Sequence, residues 1–176
     1  VLSRPGQGDF IAAIGWILGD STPYADAVHA RGTDTGFSSM ESTNSTELRR
    51  YALSIVLHMS RVVSLQAEIS RGDLFPPVIE ALRSRDRETR VLASSILFRL
   101  SLNMEHHAEL CRGGVIRALF DTVQGSFEKD TTCAAVRALS LYLASPITAN
   151  DVAEVSSEYP LLQAVLPLIA TESSMR

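Results

Sequence analysis

The chain has 176 residues, 45% of them apolar and 20% charged, which is the mixture of a globular domain rather than of a disordered chain. Twenty acidic and sixteen basic side chains give a formal charge of −4, which disfavours nucleic acid as a partner because phosphate binding needs a concentrated basic footprint. No apolar run reaches the roughly 18–20 residues that span a bilayer, so no membrane contact is expected, and the opening Val1-Leu2-Ser3-Arg4-Pro5-Gly6 has neither a Met nor a signal-peptide core.

In chain order, the apolar spacing predicts a helix over 10–18, containing Trp16, and another over 24–30. Residues 31–46 offer only Phe37 and Met40 for packing. A stretch this polar cannot bury enough area to offset its backbone ordering entropy, and a long loop or poorly formed helix is expected there. Asn44-Ser45-Thr46 matches a glycosylation sequon but, ahead of Glu47 and Leu48, reads as a capping cluster that starts a long helix over 46–61. A short helix over 63–71 follows, then Gly72 as a bend, then a helix in which Leu74, Phe75, Val78, Ile79 and Leu82 paint one side. Pro76 and Pro77 fall in its first turn, where a missing N–H costs little. The order then returns: a long helix over 87–102, a short one over 104–112, Gly113 as the bend, and a helix carrying Val115, Ile116, Leu119, Phe120 and Val123. It begins once more with helices over 130–144 and 149–157, and a last helix carries Leu161, Leu162, Val165, Leu166 and Ile169, with residues 172–176 expected to fray. No alternating apolar run flanked by hairpin signals occurs, so the fold class is all-α.

The order returns because the sequence does. Sliding 48–82 onto 89–123, an offset of 41, gives nine identities in 35 pairs, against roughly two to three expected from composition. They are Arg49/Arg90, Ala52/Ala93, Ser54/Ser95, Ile55/Ile96, Ser60/Ser101, Ala67/Ala108, Glu68/Glu109, Arg71/Arg112 and Gly72/Gly113. The third copy has a shifted frame, with Ala135, Ala138, Leu139 and Tyr142 where Ala93, Ile96, Leu97 and Leu100 fell. A unit that runs short helix, Gly corner, second helix, then A-x-x-[AI]-L-x-x-[LY] resembles an armadillo repeat. The residues that carry the likeness are Ala93-Ser94-Ser95-Ile96-Leu97-Phe98-Arg99-Leu100-Ser101 and Glu109-Leu110-Cys111-Arg112-Gly113-Gly114-Val115. HEAT repeats are the nearest alternative, but their units usually have two helices and lack the corner. The resemblance implies a right-handed α-solenoid of three-helix units (an ARM/HEAT superhelix). Residues 1–176 would be one repeat domain: a partial repeat over 9–45 with a degenerate second helix, then repeats over about 46–86, 87–127 and 128–171. A chain that begins and ends inside a unit is expected to continue in a longer parent, or to self-associate through its terminal repeats.

Chemistry-bearing constellations are sparse. Cys111 and Cys133 make neither a disulfide framework nor a C-x-x-C pair, which fits a reducing, intracellular compartment, cytoplasmic with nucleus or cytoskeleton as alternatives. His107 and Cys111 stand four apart with His106 beside them, yet two ligands on one short helix do not close a metal site, so packing histidines are expected. Cys133 with His58 as base is the only nucleophile pairing to weigh, and a Cys between Thr132 and Ala134 on a helix reads instead as a small buried hydrophobe. Gly6-Gln7-Gly8 lacks the preceding strand and following G-K-[ST] of a phosphate loop. No enzyme, metal or cofactor is expected.

The armadillo resemblance instead implies a groove lined by the long third helices. Its outward positions, two and six residues after each unit's Ala, are Ser54 and His58, Ser95 and Arg99, and Arg137 and Leu141, with Arg50 and Arg61 on the same face. In the nuclear-import adaptors of that family the sixth position is usually Asn, and here His58, Arg99 and Leu141 replace it, so a basic nuclear-localisation peptide is not the implied cargo. Arg50, Arg61, Arg99 and Arg137 point to an acidic or polar protein or extended peptide, and the bland reading is a solvated face with an intrahelical Glu47–Arg50 pair. The implied function is a protein-interaction scaffold or adaptor. The alternative is a regulatory module of an enzyme system, as chaperone cofactor, small-GTPase exchange factor or ubiquitin-ligase substrate recognition.

Overall fold

The computed structural model describes residues 7–19, 38–71, 74–125 and 128–159, and the described residues contain helices and no strand. The helices are α1 (Gln7–Gly19), α2 (Ser38–Met59), α3 (Val63–Arg71), α4 (Phe75–Ala81) and α5 (Arg87–Ser101). A 3-10 turn (Met104–His106) then runs into α6 (His107–Arg112), followed by α7 (Val115–Gly125), α8 (Lys129–Ala144) and α9 (Ala149–Ser156). The long helices lie against one another in the order α1, α2, α5, α8, and the short helices α3 and α6 also touch. Apolar stripes of adjoining helices meet in one core that includes Leu53, Val56, Ile69, Leu74, Ile96, Leu97, Leu110, Leu119, Leu139 and Tyr142.

Local signals explain where the helices start and stop. Asp86 is the extended N-cap of α5 and accepts from the Thr89 backbone N–H at 2.8 Å and its hydroxyl at 2.6 Å. Glu128 holds the matching position before α8, and Thr131 donates to it at 3.2 Å. Prolines fill the first turn of α4, as the sequence predicts. A second device recurs at the exits of α2, α5 and α8. The Gln66 amide donates to the Ser60 carbonyl at 2.8 Å, His107 Nε2 to the Ser101 carbonyl at 2.7 Å, and the Thr148 hydroxyl to the Tyr142 carbonyl at 2.7 Å. Each side chain reaches back six residues to a carbonyl that the helix end would leave without an intrahelical partner. Donors and acceptors are spaced by 41 residues in all three copies, although the N-caps Asp86 and Glu128 are 42 apart.

Three expectations are corrected. Residues 38–45 are helical, so α2 begins well before Ser45 and Thr46, which lie inside it rather than capping it. Helix propagation from an already docked segment costs far less than nucleation, and polar residues can therefore extend a helix that they could not start. Gly113 sits at an ordinary φ of −74° at the end of α6, and the left-handed residue of that corner is Gly114, at φ +80°. Gly113 is needed for a different reason: a Cβ there would lie 2.3 Å from the Phe75 ring. Cys133 is exposed rather than buried, because it falls on the outer side of α8. The helices expected over 24–30 and 161–169, the bend at Gly72 and the fraying of 172–176 lie outside the described residues.

Candidate partner-binding surface

The eight predicted face residues divide into those used by the fold and those left open. Arg50 is used. Its Nε and Nη2 donate to the two carboxylate oxygens of Asp86 at 2.9 and 2.5 Å, and Nη1 lies 3.1 Å from Glu88. This two-pronged grip binds α2 to the N-cap of α5, and Arg50's ion pairs are with Asp86 and Glu88, with the Glu47 charge acting on it more weakly. The Arg50 hydrogen bond holds the Asp86 carboxyl well below the usual carboxylate range, with Thr89 adding to the effect. One unit on, Arg90 makes a matching grip on Glu128 and also donates to the Ser84 carbonyl at 2.6 Å. Arg50, picked from the sequence as a face residue, joins two helices.

Among the others, His58 is exposed with Nδ1 2.7 Å from the Ser54 carbonyl, and Ser95 donates to the Val91 carbonyl at 2.7 Å. Ser54 and Leu141 are half-buried. Arg137 is exposed and lays its guanidinium over Phe98, 4.7 Å from the ring centroid, which links α8 to α5 through a cation–π contact. Arg61 and Arg99 come together in one cleft of about 310 Å³ between the end of α2, the start of α3 and the end of α5. Arg61 is exposed and Arg99 half-buried, and among the described residues neither guanidinium has a hydrogen-bond or ion-pair partner. The cleft's remaining walls are Ser60, Val63, Gln66, Leu102 and Asn103, with no carboxylate.

The cleft floor is fixed by an amide chain. Asn103 donates to the Gln66 side-chain oxygen at 3.2 Å while Gln66 donates to Ser60. Val63 and Leu102 flank it at 67% and 55% exposure, an apolar rim beside two cations. Gln66, Asn103, Val63, Leu102 and Phe98 were not among the residues picked from sequence. The signal that could have found them is the repeat offset, which sets Arg61 opposite Leu102 and Gln66 opposite His107. A second cleft, lined by Arg83, Arg85, Arg90, Asp121 and Glu128 among others, has acids beside its arginines, with Arg83 paired to Asp121 at 3.4 Å and Arg90 to Glu128.

The weak chemical candidates take structural places. His107 is fully buried, spends Nε2 on the Ser101 carbonyl and packs its ring 4.6 Å from that of Tyr142. Burial pushes the Cys111 thiol up to about 12, so it is a thiol rather than a thiolate at neutral pH. No family model matches the chain, and neither the curated proteins nor the solved structures include one that matches it.

Proposed function

We propose that the chain is a non-enzymatic protein-interaction scaffold, an armadillo-like solenoid segment whose long helices present a groove to a protein or extended peptide of acidic or polar character. The reading rests on one observation: α2, α5 and α8 lie each against the next, and at the α2–α5 boundary two arginines, whose side chains have no partner among the described residues, stand beside exposed apolar side chains. Packed helices hold such side chains in place before any partner arrives, so little ordering is needed on docking. Arginine without an intramolecular acid is the side chain best suited to a partner's carboxylates, because its planar fork matches them two bonds at a time.

Photo-crosslinking tests the face. A photoreactive amino acid is placed at exposed His58 or Arg137 on the long helices, and at exposed Glu80 or Gln124 on the second helices. The proposal expects a discrete protein adduct in cells of the source organism from His58 and Arg137 only. Adducts from Glu80 and Gln124 alone, or from none of the four, contradict it.

A further inference from the structure

We infer that the cleft between Arg61 and Arg99 is an anchor pocket for one acidic side chain of an extended peptide, with an apolar residue next to that acid seated on Val63 and Leu102. The inference rests on the scaffold reading and adds to it the place and the chemistry of recognition.

Charge complementarity identifies the occupant. Elsewhere among the described residues five guanidinium groups meet acids: Arg50 holds Asp86, Arg83 meets Asp121, Arg87 meets Asp130, Arg90 holds Glu128 and Arg117 grips Glu158, while Arg137 lies over Phe98 and Arg112 donates to the Ala108 carbonyl. Arg61 and Arg99 share a concavity whose described lining holds none. Two like charges confined together repel, and an incoming carboxylate relieves that repulsion while accepting several charge-assisted hydrogen bonds. The cleft, about 310 Å³, lies at the small end of ligand sites and has room for an acidic side chain.

The neutral walls narrow the ligand further. Each amide in the Asn103–Gln66–Ser60 chain has used one of its two N–H groups, and the second of each is left for a peptide carbonyl. Val63 and Leu102 expose carbon immediately beside the cations. A nucleic-acid backbone is charged at every step and brings no aliphatic side chain to such a rim, whereas a peptide alternates charge, amide and carbon. The site therefore fits an Asp or Glu adjoining Leu, Ile, Val or Phe.

A random-peptide phage library selected on the full chain, followed by affinity measurement with the enriched peptides, tests this. The expected result is enrichment of peptides with an acid next to an apolar residue, with affinity falling by about tenfold or more in Arg61→Gln/Arg99→Gln. Arg61→Lys/Arg99→Lys, which keeps the charge but not the planar fork, should bind in between. Arg85→Gln removes one charge from an exposed arginine outside this cleft and should bind as the parent does. Unchanged melting curves separate lost binding from lost fold. Enriched peptides without an acid, or binding that the double Gln variant leaves intact, overturn the anchor while leaving the scaffold standing. A library that yields no binder, or one in which a single-stranded oligonucleotide displaces every binder, overturns both.

Discussion

At the corner between α6 and α7, Gly114 turns the chain at φ +80°, and Gly113 next to it leaves room for the Phe75 ring. The two glycines are needed for different reasons, and substitution separates them. Gly114→Ala places a Cβ in a left-handed conformation and should cost about 1–2 kcal/mol. Gly113→Ala drives a methyl against Phe75, which is 4% exposed and has no room to swing aside, and overpacking of this kind costs about 1–3 kcal/mol. Urea denaturation of a double-mutant cycle decides: Phe75→Leu should recover part of the Gly113→Ala loss and none of the Gly114→Ala loss. Equal recovery in both would remove the close-approach explanation.

His107 is the second residue with a testable consequence. Burial lowers its pKa below the ordinary value, and neighbouring His106 adds repulsion when charged. The folded chain then binds this proton less readily than the unfolded chain does. Its contribution is complete above the unfolded value of about 6.5 and is lost as pH falls from there through the folded value. Gln66 occupies the same place one unit earlier and makes the same bond, so His107→Gln is expected to keep the hydrogen bond and remove the titration. Stability measured at pH 7.5 and 5.5 should decline less in His107→Gln than in the parent. Parallel declines would show that His107 titrates as it does in the unfolded chain.

Among elements, α5 is the one most firmly fixed at its start. Asp86 receives two bonds from Thr89 and two from Arg50, so a single carboxylate caps α5 and joins it to α2. Asp86→Ala should cost about 1 kcal/mol for the cap alone, while Asp86→Asn, an equally good cap, should retain that part and lose the charge contact. Because the folded carboxyl titrates below the unfolded one, its stabilisation is whole above about pH 3.9 and fades as pH falls below that. Chemical denaturation of both variants between pH 3 and 6 checks the order, and an Asp86→Asn loss as large as that of Asp86→Ala would deny the cap its part.

The helices themselves were largely legible. Leu74, Phe75, Val78 and Leu82 advertise a buried stripe through 3.6-residue spacing, and the corresponding side chains are buried. The start of α2 was not legible, since residues 38–45 offer no such stripe and their helix extends from the docked part. At the site, Arg99 was picked by its repeat position and Arg61 as a residue flanking the same helix face, and both line one cleft. The engagement of Arg50 could not, because Asp86 lies 36 residues away and meets it only through packing. The exposure of Cys133 escaped for a similar reason: its small neighbours Thr132 and Ala134 do not mark which side of α8 turns inward.

For the whole molecule, the charge pattern and the packing agree. Residues 48–112 carry ten basic and seven acidic side chains, and both flanking blocks are net acidic, so the Arg61–Arg99 cleft lies in the basic middle of an acidic chain. Junctions repeat: Arg50 with Asp86 and Arg90 with Glu128 fasten long helix to long helix, while Phe75 at Gly113 and His107 at Tyr142 fill successive gaps between units. Where helices pack in succession like this, each one's stability depends on the neighbours it meets at these junctions.

Nuclear Overhauser spectra of the full chain in solution test that stacking most directly. Stacked helices should give cross-peaks between the Phe75 ring and the Gly113 α-protons, which ring currents should also shift, together with cross-peaks between the His107 and Tyr142 rings. Absence of both sets, with Phe75 and Tyr142 rings accessible to a soluble paramagnetic agent, would contradict the stacking of units and the binding surface built on it.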